Sequence, residues 1–348
     1  VKQLVFAQVA VVAALSIAPA NAEDMNTLYQ AAKGEGMLVL YGGGPTSWYE
    51  PWASEFEKTF PGIKVIVKAG PGLELVNEID SQLAAEKLTV DVVIQQSVQD
   101  YERWKANGQL LPFKPDGFDM IDAEWKDVDG AYVGITVHGL SYAYNAQQIS
   151  ATQVPRSALD FLKPEFKGKI ITSYPHVDDV TLYVYQTIVE KYGSDFLEKL
   201  KANEPSFVRG HLGIARAIAA GNERTVTFDA FVNMTLAEEK AGKPITIAMS
   251  DIDPMPVYAQ MAAVFQRALH PNAAKLFINW YLQPQQQARQ GSWSSRSDVA
   301  PPRQLKPLTQ YQLANRFREF VMDEAKLKSL REHYLGFTGP VRAPGVYR

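Results

Sequence analysis

The chain has 348 residues, 46% of them hydrophobic, with 35 basic and 38 acidic side chains and a formal net charge of −3. A mildly acidic balance spread over this length leaves no electrostatic footprint for nucleic acid or an anionic membrane, so the partner to look for is a small molecule or another protein. Cysteine is absent, which excludes a disulfide framework, a thiol nucleophile and a thiolate metal site.

Residues 1–22 carry Lys2, an apolar run over 4–18 and Ala20-Asn21-Ala22. That is the pattern of a cleavable secretory signal, with cleavage expected before Glu23. Gln8 and Ser16 interrupt the run, which is too short for a strong membrane span; a retained anchor is the other reading. Residues 37–41 predict a strand, followed by a Gly-rich loop and a helix through 54–60. A second strand is expected over 62–67, then a loop and a helix with Leu73, Val76, Ile79 and Leu83 at helical spacing. A third strand over 91–94 runs into Gln95, Gln96 and Ser97, and a short helix stops at Gly108. Strands alternating with helices at this spacing argue for a parallel, doubly wound α/β sheet.

Residues 131–145 are long and β-rich, broken by Gly134 and Gly139, as in a strand that leaves one sheet and enters another. Ile170 and Ile171 then predict a strand ending near Pro175. After it, Leu182, Tyr185, Ile188 and Val189 lie on one face of a helix whose start carries Asp178, Asp179 and Thr181. Ligands of open α/β sheets bind beyond strand carboxyl ends against helix N-termini, so this loop is expected to form one wall of a ligand site. The competing reading makes either aspartate a plain helix cap. Strands are expected at 207–209, 225–228 and 245–249, with helices over 214–221 and 230–242. The chain then turns at two prolines into 257–266, and a helix over 270–283 places Ala274, Phe277, Ile278 and Tyr281 on one face. A loop from Gly291 leads to one polar helix over 309–335.

Taken in order, MLVLYGGGP with EFEKTFPGIKV, VDVVIQQSVQDYERWKANGQLLPF, AYVGITVHGLSYAYN, LDFLKPEFKGKI, the Asp178 loop, ARAIAAGNERTVTF and NAAKLFINWYLQPQQQ make a recognisable series. The chain resembles the periplasmic solute-binding proteins of ABC transporters, in the group that includes iron(III)-, thiamine- and phosphonate-binding proteins. The resemblance implies a type II periplasmic-binding fold: two α/β lobes, each a mostly parallel sheet flanked by helices, joined by two β crossovers and closing over a ligand. Residues 131–145 would be the first crossover and 245–257 the return. The implied organisation is a signal at 1–22, a first lobe at 23–136 and 248–290, a second lobe at 137–247, and C-terminal helices at 291–348. The implied role is capture of a small organic solute in the periplasm and its delivery to a membrane permease. The expected protein is a monomer without cofactor and not an enzyme.

Relatives that bind iron place a His, a Glu and two tyrosines where this chain has Pro45, Gln96, Val232 and Asn233. None of these is an anionic hard-metal ligand, so iron is not expected. Relatives that hold an anion carry Thr-Ser-Gly or Ser-Ser-Gly where this chain has Val177-Asp178-Asp179. Two carboxylates repel an anion there, which points to a ligand with an amine or several hydroxyls, or less directly to a divalent cation.

The candidate ligand set is Gly43, Gly44, Thr46, Gln96, Thr136, His138, Asp178, Asp179, Thr181, Phe231 and Asn233. Gly42-Gly43-Gly44 permits close backbone approach, although Pro45 and the lack of Gly-Lys-Ser/Thr rule out a P-loop. Trp48, Tyr49, Tyr101, Tyr174 and Tyr183 crowd the same region as core or stacking residues. Arg209 and Arg296 are the candidate partners for a ligand carboxylate. An exported lyase or hydrolase using Asp178, Asp179 and His176 is the alternative class, but neither G-x-S-x-G nor H-E-x-x-H is present.

Overall fold

The computed structural model describes residues 24–302 and 304–342, so the secretory signal read at 1–22 lies outside the described residues. No helix among those described is long and apolar enough to cross a membrane.

The chain opens with helix α1 (Met25–Glu35), capped by the Asp24 carboxylate and ended by left-handed Gly36. Strands β1 (Met37–Gly43), β2 (Lys64–Gly70) and β3 (Val92–Gln95) follow, separated by helices α2 (Glu50–Thr59) and α3 (Gly72–Ala84), with α4 (Val98–Ala106) after β3. They pair in parallel in the order β2-β1-β3. Alternate residues of β1 serve opposite faces. Leu38 and Leu40 pack with Phe56 of α2 and Leu28 of α1, while Tyr41 and Val93 pack with Ile79 of α3 and Trp104 of α4.

β4 (Val133–Asn145) runs from one half of the sheet into the other. The second lobe adds β5 (Ile171–Ser173), α5 (Asp179–Tyr192), α6 (Asp195–Ala202), β6 (Ser206–Val208), α7 (His211–Ala220), β7 (Val226–Phe231), α8 (Val232–Lys240) and β8 (Ile245–Ala248). The chain returns through β9 (Met255–Val264) to α9 (Pro271–Tyr281) and α10 (Pro284–Gln287), then ends in β10 (Leu313–Ala314), α11 (Phe317–Met322) and α12 (Glu324–Thr338). The first part of β4 pairs antiparallel with β9, from Val133↔Ala262 to Gly139↔Val257. From Leu140 onward it pairs with β7 and β8 instead. The glycines that interrupt it mark close approaches. A Cβ at Gly134 would lie 2.8 Å from the Trp125 carbonyl, and one at Gly139 would lie 2.6 Å from the Trp293 ring.

Several elements differ from the sequence reading. Helix α1 carries no prediction, and it packs Leu28 and Ala32 into the same core as α9. The return strand is β9 rather than 245–257, since β8 is an edge partner of β4 within the second lobe. β9 is buried along nearly its whole length, so it lacks the period-two alternation that reveals a strand. The polar helix expected over 309–335 is broken into β10, α11 and α12. Asp323 turns its carboxylate to the N–H of Lys326 (2.9 Å) and caps a new helix there.

Candidate functional site

Strand carboxyl ends from both lobes are linked to the paired middle of β4 and β9 by side-chain contacts. In the first lobe β1, β2 and β3 end at Gly43, Gly70 and Gln95. In the second, β5, β6 and β7 lead into α5, α7 and α8, so three helix N-termini lie along one edge. The two edges meet over the middle of β4 and β9, at His138↔Tyr258.

A chain of polar groups crosses this junction. The Tyr49 phenol donates to the Gly43 carbonyl (2.7 Å) and accepts from Gln260 Nε2 (3.1 Å). Gln260 in turn meets His138, whose other neighbour is Asn233 at the start of α8. Burial pushes the His138 imidazole down to about 4, with the neighbouring Gln260 and Asn233 amides opposing it, so the ring is neutral at ordinary pH. It is bracketed by the rings of Tyr258 and Phe231, with centroids 5.3 and 5.7 Å away. Burial also raises the Tyr258 phenol well above its usual value, with Asp178 and Tyr49 adding to the effect.

Several polar atoms at this junction have no hydrogen-bond partner although they are buried: His138 Nδ1, Asn233 Oδ1 and both amide atoms of Gln95. Gln95 is 2% exposed, set against Gly43 and Gly72. Buried polar atoms are nearly always paired, and an unpaired one costs about 1–3 kcal/mol. Such a group in a cleft marks where something else supplies the partner.

The second-lobe wall is charged. Asp229, wholly buried, accepts from Ser173 N (3.0 Å), Thr172 Oγ1 (3.1 Å) and His211 Nε2 (2.9 Å). Burial alone would lower the pKa of His211, but Asp229 and Asp178 outweigh it and the value rises. Asp178 accepts the N–H groups of Val180 and Thr181 on one oxygen, at 2.9 Å each, and so caps α5. Its pKa is raised by burial first and by Asp229 and Asp179 after it, against the pull of His211 and the Thr181 N–H.

The family model for bacterial extracellular solute-binding proteins matches residues 88–310, well over half of the sequence. The chain belongs to this family. The Fe(3+)-binding periplasmic protein of Serratia marcescens is 26% identical to this solute-binding protein over 194 residues, 55% of this chain. The match spans only 56% of that curated relative's length. Among solved structures, the periplasmic binding protein AfuA from Actinobacillus pleuropneumoniae, with fructose-6-phosphate bound, superposes with a TM-score of 0.72 at 18% identity. That alignment covers 87% of this chain and 98% of AfuA. Iron-bound HitA from Pseudomonas aeruginosa gives 0.70 at 20% identity, covering 86% and 99%. These likenesses establish the two-lobed type II periplasmic-binding fold.

Within the solute-binding protein, the residues singled out from sequence scatter over different surroundings. His138, Phe231 and Asn233 meet at the junction, and Asp178 lies beside them through Tyr258 and His211. Thr181 is buried, its hydroxyl 3.2 Å from His211 Nε2. Asp179 pairs with Arg331 of α12 at 2.5 Å, and His176 bonds to the Thr338 hydroxyl (3.0 Å), so the trio weighed for an enzyme does not converge. Thr136 turns to Gln290 and Tyr281. Gly43 backs onto Gln95, while the space beside Gly44 belongs to Trp48. Gln96 is half-buried and Thr46 exposed. Arg296 is held by Asp298 and the carbonyls of Asp116 and Leu282, and Arg209 is exposed.

Gln95, Tyr258, Gln260, His211 and Asp229 carry no site assignment from the sequence. A polar residue closing the apolar run Val92-Val93-Ile94 was a usable signal for Gln95. Gln260 and Tyr258 share a face of β9 by their spacing, but that signal needs the segment to be known as a strand. A separate, small and largely apolar cavity of about 30 Å³, lined by residues such as Leu140, Ile188, Lys191 and Met255, contains none of the junction residues.

Proposed function

We propose that this protein is the solute-capturing component of an ABC importer. A small organic solute binds between the lobes, and closure about β4 and β9 presents the loaded form to a membrane permease from the periplasm. The working division puts the first lobe at 23–136 and 248–290 and the second at 137–247, with the expected monomer as the binding unit. The observation that carries the reading is the set of buried, unpartnered polar atoms of Gln95, His138 and Asn233 around the strand ends. Atoms from both lobes are then satisfied at once only when a solute joins them, which favours the closed conformer.

The relatives include proteins described as binding iron and one with fructose-6-phosphate bound. For this chain an organic solute is supported over ferric ion. Pro45, Gln96, Val232 and Asn233 offer no anionic oxygen, and the Tyr49 and Tyr258 phenols are raised by burial, which favours neutral hydrogen-bonding groups over phenolates. Among the described residues, no three His, Asp or Glu side chains gather to hold a metal.

The test is thermal unfolding of the exported protein, refolded from denaturant to strip bound solute, with a deproteinised bacterial extract. A saturating solute at about 100 Kd adds roughly 2.7 kcal/mol of stability, which reads as a rise of several degrees. The rise should survive addition of a chelator, and ferric chloride alone should give neither colour nor stabilisation. An extract that leaves the melting temperature unchanged would defeat solute capture, and stabilisation by ferric ion at one equivalent would defeat the preference for an organic solute.

A further inference from the structure

The unpartnered atoms of the junction can be sorted by the protons they hold. Tyr49 gives its phenol proton to the Gly43 carbonyl, so its oxygen can only accept, and Gln260 must turn its Nε2 toward it. The carbonyl oxygen of Gln260 is then the atom left for His138. A neutral imidazole carries one proton, and with Nδ1 meeting no partner that proton is best held on Nε2, toward Gln260. His138 Nδ1, which meets no partner, is therefore a bare acceptor. Asn233 Oδ1, buried beside the same ring, is a second. The third is the Asp178 carboxylate, where one oxygen holds both α5 N–H groups and the other takes no part in them.

Charge narrows the choice of donor. The groups acting most strongly on Asp178 are His211, Asp229 and Asp179, none of them lysine or arginine. Arg331 is paired with Asp179. His211 is bonded to Asp229, so of the three carboxylates Asp178 is the one with no cationic side chain bonded to it among the described residues. A buried charge is stable only when paired. A hydroxyl would satisfy the acceptors without offsetting that charge, and an anion would add to it.

We propose that the captured solute carries a protonated amine, seated on the second-lobe wall between Asp178, Asn233 and His138. Its N–H groups fill the three acceptors, and the faces of Tyr258 and Phe231 cover the adjoining carbon atoms. Gln95, on the first-lobe wall with both amide atoms unpartnered, binds a polar group elsewhere in the same molecule when the lobes close. This inference rests on the solute-capture reading above.

The stabilising extract is loaded on a cation exchanger at pH 3, where every amine is cationic and most carboxylic acids are protonated. The retained and unretained fractions are each titrated against the protein by thermal shift. Stabilisation is expected from the retained fraction alone. Activity confined to the unretained fraction would overturn the amine while leaving solute capture intact, and silence from both would remove solute capture and the amine with it. Asp178→Asn keeps a side chain that caps helices well. It should need about thirty-fold or more of the retained fraction for half-maximal stabilisation, with an unchanged urea midpoint. A folded variant responding like the parent would refute the role of Asp178. If that variant does not fold, Asn233→Ala serves instead: a response weakened about tenfold is expected, and an unchanged one refutes the seat.

Discussion

His138 and His211 flank Phe231 from two sides, with centroid distances of 5.7 and 4.2 Å, and their environments push them in opposite directions. For His138 burial dominates, and the groups that face it, Gln260 and Asn233, are uncharged. Its folded pKa of about 4 lies below the ordinary 6.5, so between these values the unfolded chain holds the extra proton. Its contribution is present above pH 6.5 and lost as pH falls toward 4, with a magnitude of about 3 kcal/mol. His138→Gln should therefore flatten the acid side of a plot of urea midpoint against pH, and an acid limb identical to the parent's would refute the assignment. For His211, Asp229 and Asp178 outweigh burial and raise the folded pKa above 6.5. That stabilisation is present below 6.5 and disappears as pH rises through the raised value. His211→Gln should abolish a decline in midpoint on the alkaline side of 6.5. A decline that persists in the variant would have to come from another group.

At the scale of elements, the tip of β1 shows how a glycine run serves the protein's own aromatics. A Cβ on Gly42 would lie 2.3 Å from the Tyr49 ring, and one on Gly44 would lie 2.6 Å from Trp48. Gly44 also has φ +103, a conformation that side chains resist. The glycines let Tyr49 fold back to bond the Gly43 carbonyl and so anchor the polar chain to His138. Gly44→Ala combines backbone strain with displacement of Trp48 and should cost about 2–4 kcal/mol. Urea denaturation measures this; a loss below about 0.5 kcal/mol, the range of inert surface changes, would show that the loop relaxes freely.

At the scale of the molecule, the C-terminal arm joins what the cleft separates. β10 adds to β9. Arg318 of α11 reaches Glu102 of α4 and lies 5.7 Å from the Tyr132 ring in the first lobe. Phe317 packs against Tyr183 of α5 in the second lobe and Tyr258 of the return strand, with centroids 5.5 and 5.3 Å away. The Tyr183 phenol also accepts the Arg316 N–H at 3.0 Å. Phe317→Ala would open a cavity among these three elements and should cost about 3–5 kcal/mol, lowering the urea midpoint in one transition. A midpoint equal to the parent's would mean that the arm is docked without contributing to the stability of the lobes.

The alternation of short apolar strands with helices was enough to declare an α/β fold with the parallel β2-β1-β3 group, because local periodicity reports which face of each element is buried, but not the antiparallel pairings of β4 with β7, β8 and β9. The crossover at 131–145 was readable because Gly134 and Gly139 break it where Trp125 and Trp293 press against it. Asp178 as a helix cap was readable too, since the N–H groups it accepts belong to its immediate neighbours. The return strand was hidden by burial on both faces, and the break at Asp323 by a local bond with no signature in hydropathy. Most of the cleft was decided by tertiary structure alone. Gln260 reaches Tyr49 across 211 positions of sequence, His211 meets Asp229 from a different element, and Arg331 claims Asp179 from 152 residues away. Sequence sets the chemistry of each side chain, but whether a carboxylate caps, pairs or faces a solute depends on which distant group the folded chain brings beside it.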